Sequence, residues 1–193
     1  MRATLFAIPC LALLPSLAAL AHDEHDHAHG SLGAHEHGVG QLNLALEGKT
    51  LDIEIDSPAV NFLGFEHPAT SKQDQATLAT ARHSLELPGT LFALPAAAKC
   101  VASQQQVQSA LFGNAPADHD DDHDGHDGHD GHEHADIHTH YQFQCDNPAA
   151  LAGIDFAPLF KAFPGTHTLM VQAITGKGQQ AMQATPDNTQ LSF

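Results

Sequence analysis

The side chains best able to do chemistry in this sequence are histidines, and their spacing is not random. There are 17 of them against 7 lysines and arginines together. His123, His126, His129 and His132 recur every third residue, with Asp124, Asp127 and Asp130 between them and a glycine after each aspartate. Neutral imidazole and carboxylate are the donors that a borderline-soft divalent ion such as zinc accepts. Glycine leaves the backbone free enough for several imidazoles to converge on one ion. Aspartate can ligate, accept an imidazole N–H or raise the local cation concentration. His119, His123, His126, His129, His132 and His134 are therefore expected to bind several Zn(II) ions at modest affinity, with many equivalent ligand sets in competition. Two competing readings are a merely solvated acidic loop and a pH-sensing loop whose histidines gain charge as the pH falls.

A tighter site needs ligands that stand on folded structure. His35 and His37 precede a strand pattern, and His138 and His140 precede another at Tyr141. In extended backbone, residues i and i+2 point to the same side, so each H-x-H pair can chelate one ion. Glu66 and His67 lie in the segment that leaves the first hairpin, and three such groups at element ends could meet in one cleft. His83 and His167 read as lone surface histidines. No H-E-x-x-H is present, and His35-Glu36-His37 has the wrong spacing for that helical metalloprotease motif, so an enzyme is not expected.

Composition narrows the partners. A formal charge of −16 with neutral histidines disfavours nucleic acid, which needs a basic face, and disfavours an anionic membrane surface. Arg2, an apolar stretch broken by Pro9 and Pro15, and the Ala19-Leu20-Ala21 cleavage pattern read as a secretory signal. That stretch is too short and broken for a spanning helix. The expectation is a periplasmic protein with no membrane span once the signal is cleaved. Cleavage removes Cys10 and leaves Cys100 and Cys145 in an oxidising compartment, where one intramolecular pairing is available. Buried free thiols and a thiolate metal pair are the alternatives.

The pattern of apolar residues supplies the supports. Leu42, Leu44 and Leu46, then Leu51, Ile53 and Ile55, alternate on either side of Gly48-Lys49 and predict a hairpin with one buried face. NFLGFEHPAT reads as an apolar loop. Ser71 and Asp74 form a capping box at the start of a helix carrying Leu78, Ala81 and Leu85, which Pro88-Gly89 breaks. CVASQQQVQSALF and YQFQC read as antiparallel strands. If they pair, Cys100 faces Cys145 and a disulfide there staples the base of the histidine-rich loop. Asn147-Pro148 starts a short helix, Leu159, Phe160 and Phe163 fill a core, and a second hairpin turns at Gly176-Lys177-Gly178.

The segment HEHGVGQLNLALEGKTLDIEIDSPAVNFLGFEHPA closely resembles the opening motif of the ZrgA-type periplasmic zinc-uptake proteins of Gram-negative bacteria. LFALPAAAKC, YQFQC, LFKAFPG and ITGKGQQAMQATP resemble later landmarks of that family. The resemblance implies an α+β fold with two related halves, each with an antiparallel β-hairpin or sheet and short helices, plus a long disordered His/Asp-rich loop. The expected division is a signal peptide over 1–21, a His-rich segment over 22–37, a first half over 38–112, the metal-binding loop over 113–140 and a second half over 141–193. By matching position, His35, His37, Glu66, His67, His138 and His140 become the candidates for an ordered site. The resemblance also implies a protein that collects Zn(II) and assists its uptake, by delivery to a periplasmic zinc-binding protein or an ABC zinc importer. Buffering or storage of nickel or copper is the alternative function, because histidine-rich sequences bind Cu(II) more tightly than zinc.

Overall fold

The computed structural model describes residues 36–114 and 135–193. The expected signal peptide, the His-rich segment as far as His35, and His119, His123, His126, His129, His132 and His134 lie outside the described residues.

The first hairpin forms as the alternation requires. Strand β1 (Val39–Glu47) pairs antiparallel with β2 (Thr50–Pro58), with Leu42 opposite Ile55, Leu44 opposite Ile53 and Leu46 opposite Leu51. Because side chains alternate along a strand, these residues share one face, and Leu42, Leu51, Ile53 and Ile55 are fully buried there. The turn uses Gly48. Helix α1 (Ala59–Leu63) follows directly. The first half of NFLGFEHPAT is thus helical rather than loop. Five residues are too few for a 3.6-residue period to show in sequence. Gly64, in the left-handed conformation at φ 80°, closes the helix.

Helix α2 (Lys72–Leu85) starts as the capping box predicts. The Ser71 hydroxyl accepts from the Asp74 amide at 3.0 Å. Strand β3 (Cys100–Gln108) is shorter than expected, because Ala110–Phe112 forms a 3-10 turn that the Ser109 hydroxyl caps. Its antiparallel partner β4 (Asp136–Cys145) is longer than expected. His138 and His140, expected just ahead of the strand, lie within it. A histidine-rich stretch carries little strand signal by composition, yet Ile137, Thr139, Tyr141 and Phe143 alternate onto the buried face and β2 supplies the partner backbone. Cys100 sits opposite Cys145 and the two form a disulfide.

Strand β5 (Gly153–Asp155), helix α3 (Ala157–Ala162), the hairpin of β6 (Thr168–Thr175) and β7 (Gly178–Ala184), and β8 (Gln190–Ser192) complete the described chain. The main sheet has the order β3-β4-β2-β1-β6-β7. All its neighbours are antiparallel except β1 and β6, which run parallel. Strands from before and after residues 115–134 therefore share one sheet. The fold is α+β with a predominance of strand.

The two faces of that sheet differ. On one, Phe92 meets Tyr141, Phe143 and Phe156 edge to face, and the Tyr141 hydroxyl donates to the carbonyl of Leu85 at 2.9 Å, tying the end of α2 to β4. On the other, Gln41, Asn43, Glu54, Asp56, Met170 and Gln172 are exposed. A shallow groove of about 600 Å³ runs along this open face beside Asn43, Asp52, Glu54, Gln172 and Gln179.

Candidate metal centre

Two groups of histidine and carboxylate stand on this frame. The first is at the entry to β1. A buried polar hub holds that entry in place. Asn61, on α1 and 2% exposed, accepts from the Gly38 amide at 2.6 Å and donates to the Val39 carbonyl at 3.0 Å and to Ser57 Oγ at 2.8 Å. The Gly38 carbonyl in turn accepts from the amides of His167 and Thr168. Gly38 has φ 88°, and a Cβ there would stand 2.8 Å from His167 Nδ1, so glycine is required on both counts. With Gly38 pinned, His37 Nε2 lies 3.3 Å from Glu66 Oε1; the imidazole is largely exposed and the carboxylate largely covered.

Glu66 reaches this position because Gly64 turns the chain at the end of α1. Phe65 stacks on His67 with ring centroids 4.9 Å apart, and His67 Nδ1 lies 3.1 Å from the Pro68 carbonyl. If Nδ1 carries the proton for that bond, Nε2 is left as the metal-binding nitrogen. Glu66 also lines a cavity of about 640 Å³ with Pro68, Gln75, Leu78, Leu111 and Ala135. Ala135 follows the histidine-rich segment directly, and its carbonyl accepts from the Ala59 amide at 2.8 Å. On the other flank, Asn114 Nδ2 donates to the Val107 carbonyl. Asn114 and Ala135, which flank residues 115–134, are thus both tied to the folded body, and Ala135 lines the same cavity as Glu66.

The second group lies on the open face of the sheet. His138 is opposite Asp56, His140 is opposite Glu54, and Gln142 is opposite Asp52. His138 Nδ1 hydrogen-bonds Asp56 Oδ1, and His140 Nε2 lies 3.2 Å from Asp52 Oδ1, which also accepts from Gln142 Nε2. The hydrogen bond to Asp56 raises the His138 pKa above the ordinary histidine value, against the opposing pull of partial burial. A proton therefore competes with a metal ion for this imidazole over a wider pH range than usual.

The structure divides the sequence-derived candidates. His37 and Glu66 form one pair, His67 turns to Phe65 and Pro68, His138 and His140 each take a carboxylate of β2, and His35 lies outside the described residues. No three histidine, cysteine or acidic side chains converge closely enough to hold an ion as they stand, among the described residues. Asp52, Glu54 and Asp56 were not among the candidates. Their signal was present in LDIEID, since alternation that buries Leu51, Ile53 and Ile55 must place the three acids together on the other face. Nothing in the sequence showed that β4 would lie beside them. Asn61 was also missed, because a single asparagine in an apolar stretch carries no periodic signal.

The folded α+β body thus carries histidine–carboxylate pairs on one face and at a strand entry, the donor types that a divalent metal ion accepts. The chain matches the ZrgA family of zinc uptake proteins over residues 34–193. It belongs to that family. A comparison with curated proteins finds no match. The family description is one of zinc uptake. Among the described residues no helix is long and apolar enough to cross a membrane.

Proposed function

We propose that this protein captures Zn(II) in the periplasm in two tiers and hands it on for uptake, to the binding protein of an ABC importer. Residues 115–134 supply the many equivalent donors of the first tier, His119, His123, His126, His129, His132 and His134. The folded body supplies the second tier at the entry to β1, where His37 and Glu66 are the central donors and His35 and His67 their neighbours. The observation that carries this reading is the shared wall: Glu66 lines the same cavity as Ala135, the residue at which the histidine-rich segment rejoins the body. An ion held by that segment is then delivered close to His37 and Glu66 by ligand exchange, without dissociating into solvent. The disulfide between Cys100 and Cys145 supports an oxidising compartment.

Calorimetric titration with zinc tests the reading. Deletion of residues 117–134 is expected to remove most of the stoichiometry and to spare the tightest site. His37→Ala with Glu66→Gln is expected to weaken that site at least tenfold and to leave the weaker set intact. If the deletion abolishes all tight binding, the second tier is not in the folded body and the proposal fails.

A further inference from the structure

The open face of the sheet holds a second arrangement that the first site does not use. In each of its two histidines one ring nitrogen is taken by a carboxylate of β2: His138 Nδ1 by Asp56 and His140 Nε2 by Asp52. Among the described residues the other nitrogens, His138 Nε2 and His140 Nδ1, make no hydrogen bond. A histidine that donates one N–H to a carboxylate presents its remaining nitrogen as a metal ligand, with tautomer and ring orientation already set and its basicity raised. Two such dyads, two residues apart on one strand, point to the same side of the sheet, with their Cα atoms roughly 6.5 Å apart. Glu54 lies between Asp52 and Asp56 on β2, directly opposite His140. It is exposed and borders the open groove, and its carboxylate makes no hydrogen bond among the described residues. Directly opposed Cβ atoms on antiparallel strands lie about 5 Å apart. An ion above the β2–β4 pair is therefore within reach of two imidazoles and one carboxylate.

We infer that His138, His140 and Glu54 form a separate binding site for a divalent zinc-like ion on the open face of the sheet, with Asp56 and Asp52 as positioning residues. Three protein ligands leave a fourth position open, in contrast to closed structural zinc sites. An open position suits cargo, because an incoming ligand can attack the ion before the protein releases it. All four dyad side chains are between 35% and 51% exposed, so each has room to rotate the short distance that convergence needs. The inference rests on the proposal that zinc is the cargo, but not on the His37–Glu66 site.

The test uses the full chain, with zinc alone as the probe, followed by the imidazole resonances of His37, His138 and His140 in NMR spectra. Zinc is expected to shift His138 and His140 together. Glu54→Gln and Asp56→Asn are expected to weaken that joint response about tenfold or more, with the response at His37 unchanged. The melting temperature of each metal-free variant shows whether it is folded. Cobalt(II) in place of zinc is expected to give a visible absorption band that Glu54→Gln weakens. Two outcomes overturn the site: a zinc response at His37 and the other histidines with none at His138 and His140, or a joint response that the folded Glu54→Gln variant leaves unaltered. In the first, the two-tier function stands. If zinc moves no histidine of the folded body, both are overturned.

Discussion

At the scale of single residues, the side chains that could hold metal depend on others that hold none. Asn61 is the clearest case. It satisfies the Gly38 amide, the Val39 carbonyl and Ser57 at once inside the body, and so sets where the chain enters β1 and where His37 stands. Asn61→Ala is expected to cost about 1–3 kcal/mol, the usual penalty for leaving a buried donor without an acceptor, and to weaken zinc binding at His37 and Glu66. Urea denaturation and zinc calorimetry on the same variant check both halves. Gly38→Ala is expected to act in the same direction for a different reason, since it imposes a Cβ on a backbone of positive φ beside His167. Asp155 acts locally in another way. Its carboxylate accepts from the Ala157 amide at the start of α3, and bonds from Thr189 first and Ala157 second hold its pKa below the ordinary aspartate range. The fold thus favours the ionised form. The contribution is complete above that range and is lost as pH falls through the lower folded-state pKa. Solvent exposure keeps it small. Asp155→Asn is expected to narrow its stability difference from the wild type as the pH falls below the ordinary aspartate range in an acid denaturation series.

Elements carry the next level of dependence. Strand β4 gives Ile137, Thr139, Tyr141 and Phe143 to the core and His138, His140 and Gln142 to the open face. The apolar alternation that secures the strand therefore also aims its histidines. Tyr141 is the pivot, because its ring packs against Phe92 and its hydroxyl holds the last turn of α2. Burial pushes its pKa well above the ordinary tyrosine value, so it stays neutral and serves as a donor. Tyr141→Phe keeps the ring and removes the hydrogen bond. It is expected to lower stability by about 1 kcal/mol and to leave zinc stoichiometry unchanged, which thermal melting and calorimetry can check side by side. A loss of zinc binding in a folded Tyr141→Phe protein would show that the pose of β4 depends on that one bond.

At the scale of the whole molecule, the disulfide closes the stretch that contains the histidine-rich segment, its cysteines standing 45 positions apart in sequence. Removing it frees that length of chain in the unfolded state. Cys100→Ser with Cys145→Ser is expected to cost about 2–4 kcal/mol, read as a lower urea midpoint, with zinc stoichiometry retained where the protein remains folded. Acidification acts on the molecule as a whole because ligation needs neutral imidazole. Zinc is expected to leave progressively from roughly pH 7 to pH 5, measured by competition with a chelating dye. Retention of all bound zinc at pH 5 would assign the binding to carboxylates.

Much of this architecture was legible without coordinates, where the signal was local and periodic. Both hairpins, the capping box of α2 and the pairing of the two cysteine-bearing strands follow from residues near one another in the chain. The opening motif and the later landmarks carried the resemblance to the ZrgA family. Helix α1 was missed because five residues show no period, and the start of β4 because histidine and aspartate masked its alternation. Only the tertiary structure decided that β1 runs beside β6, that β4 lies against β2, and hence that His138 and His140 face Asp56, Glu54 and Asp52. A sequence specifies which side chains share a face. Which face meets which depends on strand order, and strand order is settled by burial of the whole apolar surface at once.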